Sequence, residues 1–324
     1  MMRAAWVVGS GGLLGRALVR ELRDTGTAVF RQQAPLPWLD EGRLLGQMAV
    51  LADAFTHWAA AAREVEIYWA AGVGGMGSTE LAMSAETRCL ERFVDLIAKH
   101  PGLPAQRTAF ALASSAGGIY AGSSAAIIDE STPPMPTTPY ARGKLQQEEI
   151  VRRSLGAAGS AVLVARFSTL YGPGQAADKR QGLITHVVRS VLQNRPVRIY
   201  VPFDTIRDYM YSADAARTMI ASLRSSLPGA EPVVRIVASE RPTTVADILD
   251  TGRRISRKRL LFTSAIDPMG HLYSQRARYR SCVFPEHSRL ATTTLTQGLA
   301  RVLAAERERF ARPGGEALAT PGRT

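Results

Sequence analysis

Cysteine and histidine are scarce in this sequence. The two cysteines, Cys89 and Cys282, lie far apart with no C-x-x-C pair, and five histidines are scattered singly over 324 residues. That excludes a disulfide framework and leaves no zinc-ligand spacing, so metal-free chemistry is expected. Long hydrophobic runs are missing too: no apolar stretch approaches the roughly 20 residues of a membrane span. The apolar run starting at Ala4 is too short, and too soon followed by glycines, for a signal peptide. A cytoplasmic location without membrane attachment is the expectation. No internal repeats are found. Acidic residues are in deficit, 28 against 40 Lys and Arg, for a formal net charge of +12. Such an excess raises nucleic acid or acidic ligands as partners. The arginines are spread along the chain, however, and the dense run from Arg253 to Arg259 reads as a solvated helix end, not a nucleic-acid surface.

The length permits a large core, either one α/β unit or two lobes. Ala4 to Val8 reads as a buried parallel strand, and it runs into Gly9-Ser-Gly-Gly12-Leu13-Leu14-Gly15 and then a helical stretch through Leu22. Strand, glycine turn and helix in this order suit a dinucleotide diphosphate. Glycines allow positive φ and close approach, and the free N–H groups and dipole of the helix start favour negative charge. Gly9, Gly12, Leu13, Leu14 and Gly15 are therefore cofactor-binding candidates; a ligand-free tight turn is the alternative. After the next strand, Ala28 to Phe30, a ribose 2′-hydroxyl would meet Asp or Glu, but the chain reads Arg31-Gln32-Gln33, which leans toward the 2′-phosphate of NADP over NAD. Residues 35 to 63 begin as a loop with Pro35, Pro37 and Trp38 and continue as an Ala- and Leu-rich helix. No clear third strand can be placed there.

Val65 to Gly72 reads as a strand ending in small residues, with Ala70, Ala71 and Gly72 letting a cofactor pass close to the backbone. Helix follows from about Thr79 to Lys99. Thr108 to Ala113 is the next buried strand, with Ser114 and Ser115 at its C-terminal end, where open α/β sheets keep their ligands. Pro139 then opens a helix that carries Tyr140 and, four residues on, Lys144. Positions i and i+4 share a helix face, so a phenol and an ammonium can reach one site together. A nearby cation favours the phenolate, as a tyrosine acid/base at neutral pH requires. An ordinary wet helix face carrying a Tyr and a Lys is the alternative.

Taken together, Gly9-x-x-Gly12-x-x-Gly15, Ser114 to Tyr120, Asp129 to Pro134 and Pro139 to Lys144 resemble the extended short-chain dehydrogenase/reductases, in their NAD(P)-dependent sugar-nucleotide epimerase/dehydratase branch. The resemblance continues through Ala165 to Gly174, Arg207 to Tyr211 and Asp214. It implies an α/β fold: a doubly wound parallel (Rossmann) sheet over residues 1–171 with later strands returning to it, a smaller substrate-binding α/β lobe over 172–310, and a flexible tail over 311–324. It also implies Tyr140 as acid/base and Lys144 as holder of the nicotinamide ribose. Ser115 would hydrogen-bond the reacting oxygen. Here the pattern departs from the family, because counting back from Tyr120 places Ala116 at the hydroxyl position while counting forward along the strand places Ser115 there. Phe167 would line the nicotinamide, Ser114 and Thr169 the substrate, and Arg207 would grip its diphosphate through a bidentate fork. The basic cluster Gln275 to Arg280 is a candidate second phosphate contact, and a homodimer is expected.

The function implied is hydride transfer at a sugar carbon of a nucleotide sugar. Three outcomes share that step: ketoreduction, 4-epimerisation and 4,6-dehydration. Ala116-Gly117-Gly118 supply no acidic pair for elimination, which counts against dehydration. Arg31 leans toward NADP and so toward a 4-ketoreductase, with an epimerase close behind. A non-catalytic dinucleotide sensor and a reductase of non-sugar carbonyls are the other readings.

Overall fold

Short runs rich in apolar residues alternate with stretches of 3.6-residue apolar period along the first half of the chain, and the computed structural model turns them into strands and helices. It describes residues 3–32, 36–38, 40–175, 182–264 and 276–311. Strand β1 (Arg3–Val8) leads to α1 (Leu13–Asp24), β2 (Ala28–Val29), α2 (Glu41–Trp58), β3 (Glu64–Trp69), α3 (Glu80–Lys99), β4 (Thr108–Ser115), α4 (Ala116–Ile119), α5 (Pro139–Val151) and β5 (Ala161–Phe167). The chain continues with β6 (Thr169–Tyr171), α6 (Leu183–Leu192), β7 (Val197–Ile199), β8 (Ile206–Tyr211) and α7 (Ser212–Ser225). It ends with β9 (Val233–Val237), β10 (Pro242–Thr244), α8 (Val245–Ser256), β11 (Phe262–Ser264) and α9 (Leu295–Ala311). Gln33 and Pro35 of the loop after β2, Gln275 of the basic cluster and the tail from residue 312 lie outside the described residues.

The main sheet is parallel throughout, in the order β2-β1-β3-β4-β5-β9. A doubly wound sheet of order 3-2-1-4-5-6 carries one more strand outside the second; among the described residues none lies beyond β2. Both faces are covered by helices, and the strands are correspondingly apolar on both sides. On one face, Leu14, Leu18 and Leu22 of α1 pack with Met219, Ile220 and Leu223 of α7. On the other, Trp6, Phe55, Trp69 and Phe93 form an aromatic cluster with rings 4.9–5.4 Å apart. Strand β9 comes from late in the chain and pairs with β5 from Leu163↔Val233 to Phe167↔Val237.

The second lobe holds the three-stranded sheet β10-β8-β6 and the pair β11-β7. Its core gathers Val187, Val188, Ile248, Leu299 and Val302 from α6, α8 and α9. Strand β8 escapes a hydrophobicity reading because Arg207 and Asp208 interrupt it. Asp208 is buried all the same: its carboxylate accepts from Ser168 Oγ (2.5 Å), from Ser239 N and Oγ (both 2.8 Å) and from Arg241 N (3.2 Å).

Helix α9 closes this lobe through Gly298, where an added Cβ would lie 2.0 Å from Tyr171 Oη and 2.7 Å from the ring. Replacing Gly298 with Ala therefore forces either the helix or the ring to move. A loss of about 1–3 kcal/mol is expected from such overpacking, read as a lowered urea midpoint with an unchanged m-value.

Candidate active site

The glycine turn is built by close backbone approach. Gly9 has φ +87° and sits so near the end of β3 that a Cβ there would lie 2.6 Å from Ala71 N and 2.7 Å from Ala70 C. At Gly15 a Cβ would lie 2.1 Å from Gly9 O, so the first turn of α1 rests directly on the strand end. Gly12 caps α1 with no side-chain hydrogen bond to the helix N–H groups, and around Gly11 there is open space. Side chains thus neither fill nor satisfy this helix start, the condition an incoming diphosphate needs. Leu13 and Leu14 begin the helix. Arg16 donates to the carbonyls of Gly11 and Gly174, tying the turn to the loop after β6.

Tyr140 and Lys144 lie on α5, whose start is set by Thr138: its hydroxyl accepts from Ala141 N at 3.2 Å, and Pro139 fills the first helical position. Lys144 Nζ lies 5.9 Å from the centroid of the Tyr140 ring. On the sheet side, Gly118 of α4 separates Tyr140 from Ser115. A Cβ on Gly118 would lie 3.1 Å from two Tyr140 ring carbons and 3.4 Å from Ser115 Oγ. Ser115 Oγ accepts from Gly118 N at 3.1 Å, so it caps α4 while facing the tyrosine side of that glycine. Ala116 is fully buried. The hydroxyl that the structure brings beside Tyr140 is that of Ser115.

Ser114 faces the other way. Its hydroxyl, expected to touch substrate, is buried and donates to Glu148 Oε1 at 2.5 Å. The reason is strand alternation: adjacent residues of β4 point to opposite faces. Glu148 in turn accepts from Arg166 Nε at 3.0 Å and from Arg166 Nη2 at 2.6 Å, and Arg166 Nη1 donates to Tyr120 Oη at 2.5 Å. This network binds β4, β5, α4 and α5 together beneath the dyad.

The remaining candidates divide between the two sheets: Phe167 and Arg31 follow the main sheet's strands to their C-terminal ends, while Thr169 and Arg207 lie at the starts of β6 and β8. Phe167 is buried at the end of β5 as the register partner of Ser115. Thr169 pairs with Tyr209 in the second sheet. Arg31 stands exposed just beyond β2. Arg207 is half-buried on β8, opposite Thr243. The extended segment from Arg276 runs beside it, with Ala277 N donating to Ile206 O at 3.0 Å. Alternation leaves Arg276, Arg278 and Arg280 outward while Ala277 and Tyr279 are buried.

One residue that contacts Lys144 has no distinguishing mark in the sequence. Glu86, in the middle of α3, accepts from Lys144 Nζ at 3.1 Å, and the two side chains are only 9% and 7% exposed. Burial alone raises the Glu86 pKa, but the Lys144 charge and the hydrogen bonds from Gly74 N, Gln147 and Lys144 outweigh it, leaving the carboxyl below its ordinary value. Among the described residues no group of three His, Cys, Asp or Glu is placed to hold a metal, and no helix is long and apolar enough to cross a membrane.

A parallel sheet covered by helices on both faces, with a glycine turn between β1 and α1 and a Tyr/Lys pair on α5, defines an α/β protein of the Rossmann type. The chain belongs to the NAD dependent epimerase/dehydratase family, whose sequence model matches residues 5–235. It is 26% identical over 146 residues to a UDP-glucuronate 4-epimerase of Thermodesulfobacterium geofontis, covering 45% of this chain and 43% of that one. It is 28% identical over 131 residues to the dTDP-4-dehydro-6-deoxyglucose reductase of Escherichia coli, covering 40% of each. The matches thus span less than half the length of these curated relatives. Among solved structures, MoeE5 in complex with UDP-glucose and NAD is similar with a TM-score of 0.73 at 22% identity, over 95% of this chain and 100% of that one. The UDP-glucose 4-epimerase of Thermus thermophilus with NAD has a TM-score of 0.73 at 18% identity, over 94% and 99%. These likenesses establish the fold.

Removing the carboxylate of Glu148 would leave the Arg166 guanidinium buried without its counter-charge. Glu148→Ala is therefore expected to cost about 3–5 kcal/mol of stability, measured by urea denaturation. Ser114→Ala, which removes one neutral hydroxyl donor from the same carboxylate, should cost about 1–3 kcal/mol.

Proposed function

We propose that this protein reduces the 4-keto group of a nucleotide sugar with a nicotinamide cofactor, and that Ser115, Tyr140 and Lys144 are its catalytic residues. The observation that carries this reading is the convergence of Ser115 Oγ and the Tyr140 ring on Gly118, with the Lys144 ammonium 5.9 Å from that ring. The glycine turn fits a dinucleotide, since an uncapped helix start faces backbone packed too tightly for any side chain. Gly9, Gly12, Leu13, Leu14 and Gly15 would hold the diphosphate, Ala70, Ala71 and Gly72 would flank it, and Phe167 would line the nicotinamide. When bound, the nicotinamide supplies the hydride.

The chain's own residues then manage the oxygen. Ser115 donates a hydrogen bond to the carbonyl oxygen and Tyr140 gives it a proton as the alcohol forms. Lys144 orients the cofactor ribose and supplies positive charge beside the phenol. Thr169 belongs to the substrate side, in the lobe formed mainly by residues 172–310, and Arg207 with the outward arginines Arg276, Arg278 and Arg280 suits a diphosphate. No carboxylate occupies Ala116 to Gly118, which speaks against dehydration. Arg31 favours NADP, a cofactor that arrives reduced and leaves oxidised, and so favours net reduction.

A 4-epimerase is the second reading, supported by the similar 4-epimerases whose structures hold NAD. The two separate in one experiment: identify the nucleotide released on denaturing the purified protein, then screen 4-keto nucleotide sugars for NADPH oxidation. NADPH consumption is expected; tightly retained NAD with no NADPH consumption would establish the epimerase reading instead. Arg207→Ala should raise KM for a diphosphate-bearing substrate about tenfold or more, and an unchanged KM would move the reading to a non-nucleotide carbonyl.

A further inference from the structure

Lys144 is nearly buried, yet it was placed above as a group that meets an incoming cofactor. An ammonium has three donors. Among the described residues Nζ gives two of them to the chain itself, to Glu86 Oε1 at 3.1 Å and to Gln147 Oε1 at 2.9 Å. One donor is left for a ribose hydroxyl.

Glu86 is equally committed. Its Oε1 accepts from Lys144 Nζ and from Gln147 Nε2 at 3.2 Å, and its Oε2 accepts from Val73 N at 3.0 Å and Gly74 N at 2.9 Å. Four donors fill the capacity of a carboxylate. Val73 and Gly74 belong to the loop that leaves β3 directly after Ala70, Ala71 and Gly72. The loop glycines make room for this: a Cβ on Gly72 would lie 3.0 Å from Glu86 Oε1, and one on Gly74 would lie 3.2 Å from Oε2. A continuous path of contacts therefore runs from Gly9 through Ala70–Ala71 and the loop to Glu86, Lys144 and Tyr140.

We infer that Glu86 is a positioning residue that sets, through Lys144, where the ammonium meets the cofactor ribose, and holds the β3–α3 loop in place at the same time. The inference rests on the proposed role of Lys144 in holding that ribose. No neutral isostere replaces it. Glutamine has one carbonyl oxygen and one NH2, so either the ammonium or the two backbone N–H groups would face a donor. Glu80 and Arg142 pair with each other at 2.5 Å, and among the described residues Glu86 is the carboxylate paired with Lys144.

The test is a double-mutant cycle on cofactor binding, using the full chain and fluorescence titration with NADPH and with NADH. Glu86→Ala and Lys144→Met are each expected to weaken the better-bound cofactor about tenfold or more, and the double variant no more than the worse single one. Both roles lower the melting temperature of the Glu86 variant, but a merely structural role would let the two losses multiply. Where Glu86→Ala does not fold, by circular dichroism, Glu86→Gln takes its place in the same cycle, with the same weakened binding expected. Multiplied losses, or a Glu86 variant that binds as well as the wild type, would overturn the inference while leaving the functional reading intact. A wild-type chain that binds neither cofactor would overturn both.

Discussion

A buried ammonium needs a counter-charge, and much of this site is arranged around that need. Lys144 sits with its side chain 7% exposed on a helix packed against the sheet, where an unpaired cation would be strongly destabilising. Glu86 meets it from α3, and Gln147, one turn further along α5, completes the enclosure. The loop after β3 is drawn over the same carboxylate. Tyr140 stands one helical turn before the lysine, so its place follows from the anchoring of α5. Another buried ion pair, Glu148 with Arg166, fixes the following turn of α5 to β5. Tyr140, Lys144 and Glu148 are spaced four residues apart and share one face, and the latter two are locked by charge to different elements.

The two lobes are joined to this frame by hydrogen bonds of local logic. Arg16 links the glycine turn to Gly174, and Asp208 gathers Ser168, Ser239 and Arg241 at the start of the second lobe. Arg207 is the neighbour of Asp208 on β8, so its backbone is fixed by that anchoring.

What was legible in the sequence was local. The strand–glycine–helix order at Gly9, the Pro139 entry to α5 and the i, i+4 spacing of Tyr140 and Lys144 depend on residues close in the chain, and each forms as read. The choice of Ser115 over Ala116 rested on strand counting; in the structure Ser115 Oγ and the Tyr140 ring both border Gly118. The partner of Ser114 was not legible: alternation along β4 is visible, but the carboxylate that accepts its hydroxyl lies 34 residues on. Glu86 was invisible for the same reason, being 58 residues from Lys144 and looking like any solvated helical glutamate. Strands β6, β10 and β11 have three residues each, too few for a period to show. Gly72 was read as room for a cofactor; together with Gly74 it also makes room for the Glu86 carboxylate.

The central claim is that the Tyr140 phenol completes a hydride transfer to a sugar carbonyl. It is tested most directly with NADPH carrying deuterium at nicotinamide C4 and a 4-keto nucleotide sugar, with the product read by mass spectrometry and NMR. The account predicts one deuterium on the former carbonyl carbon with the wild-type chain, and almost none with Tyr140→Phe at equal cofactor occupancy. Label transferred as readily by the phenylalanine variant, or no transfer by the wild type to any such sugar, would contradict it.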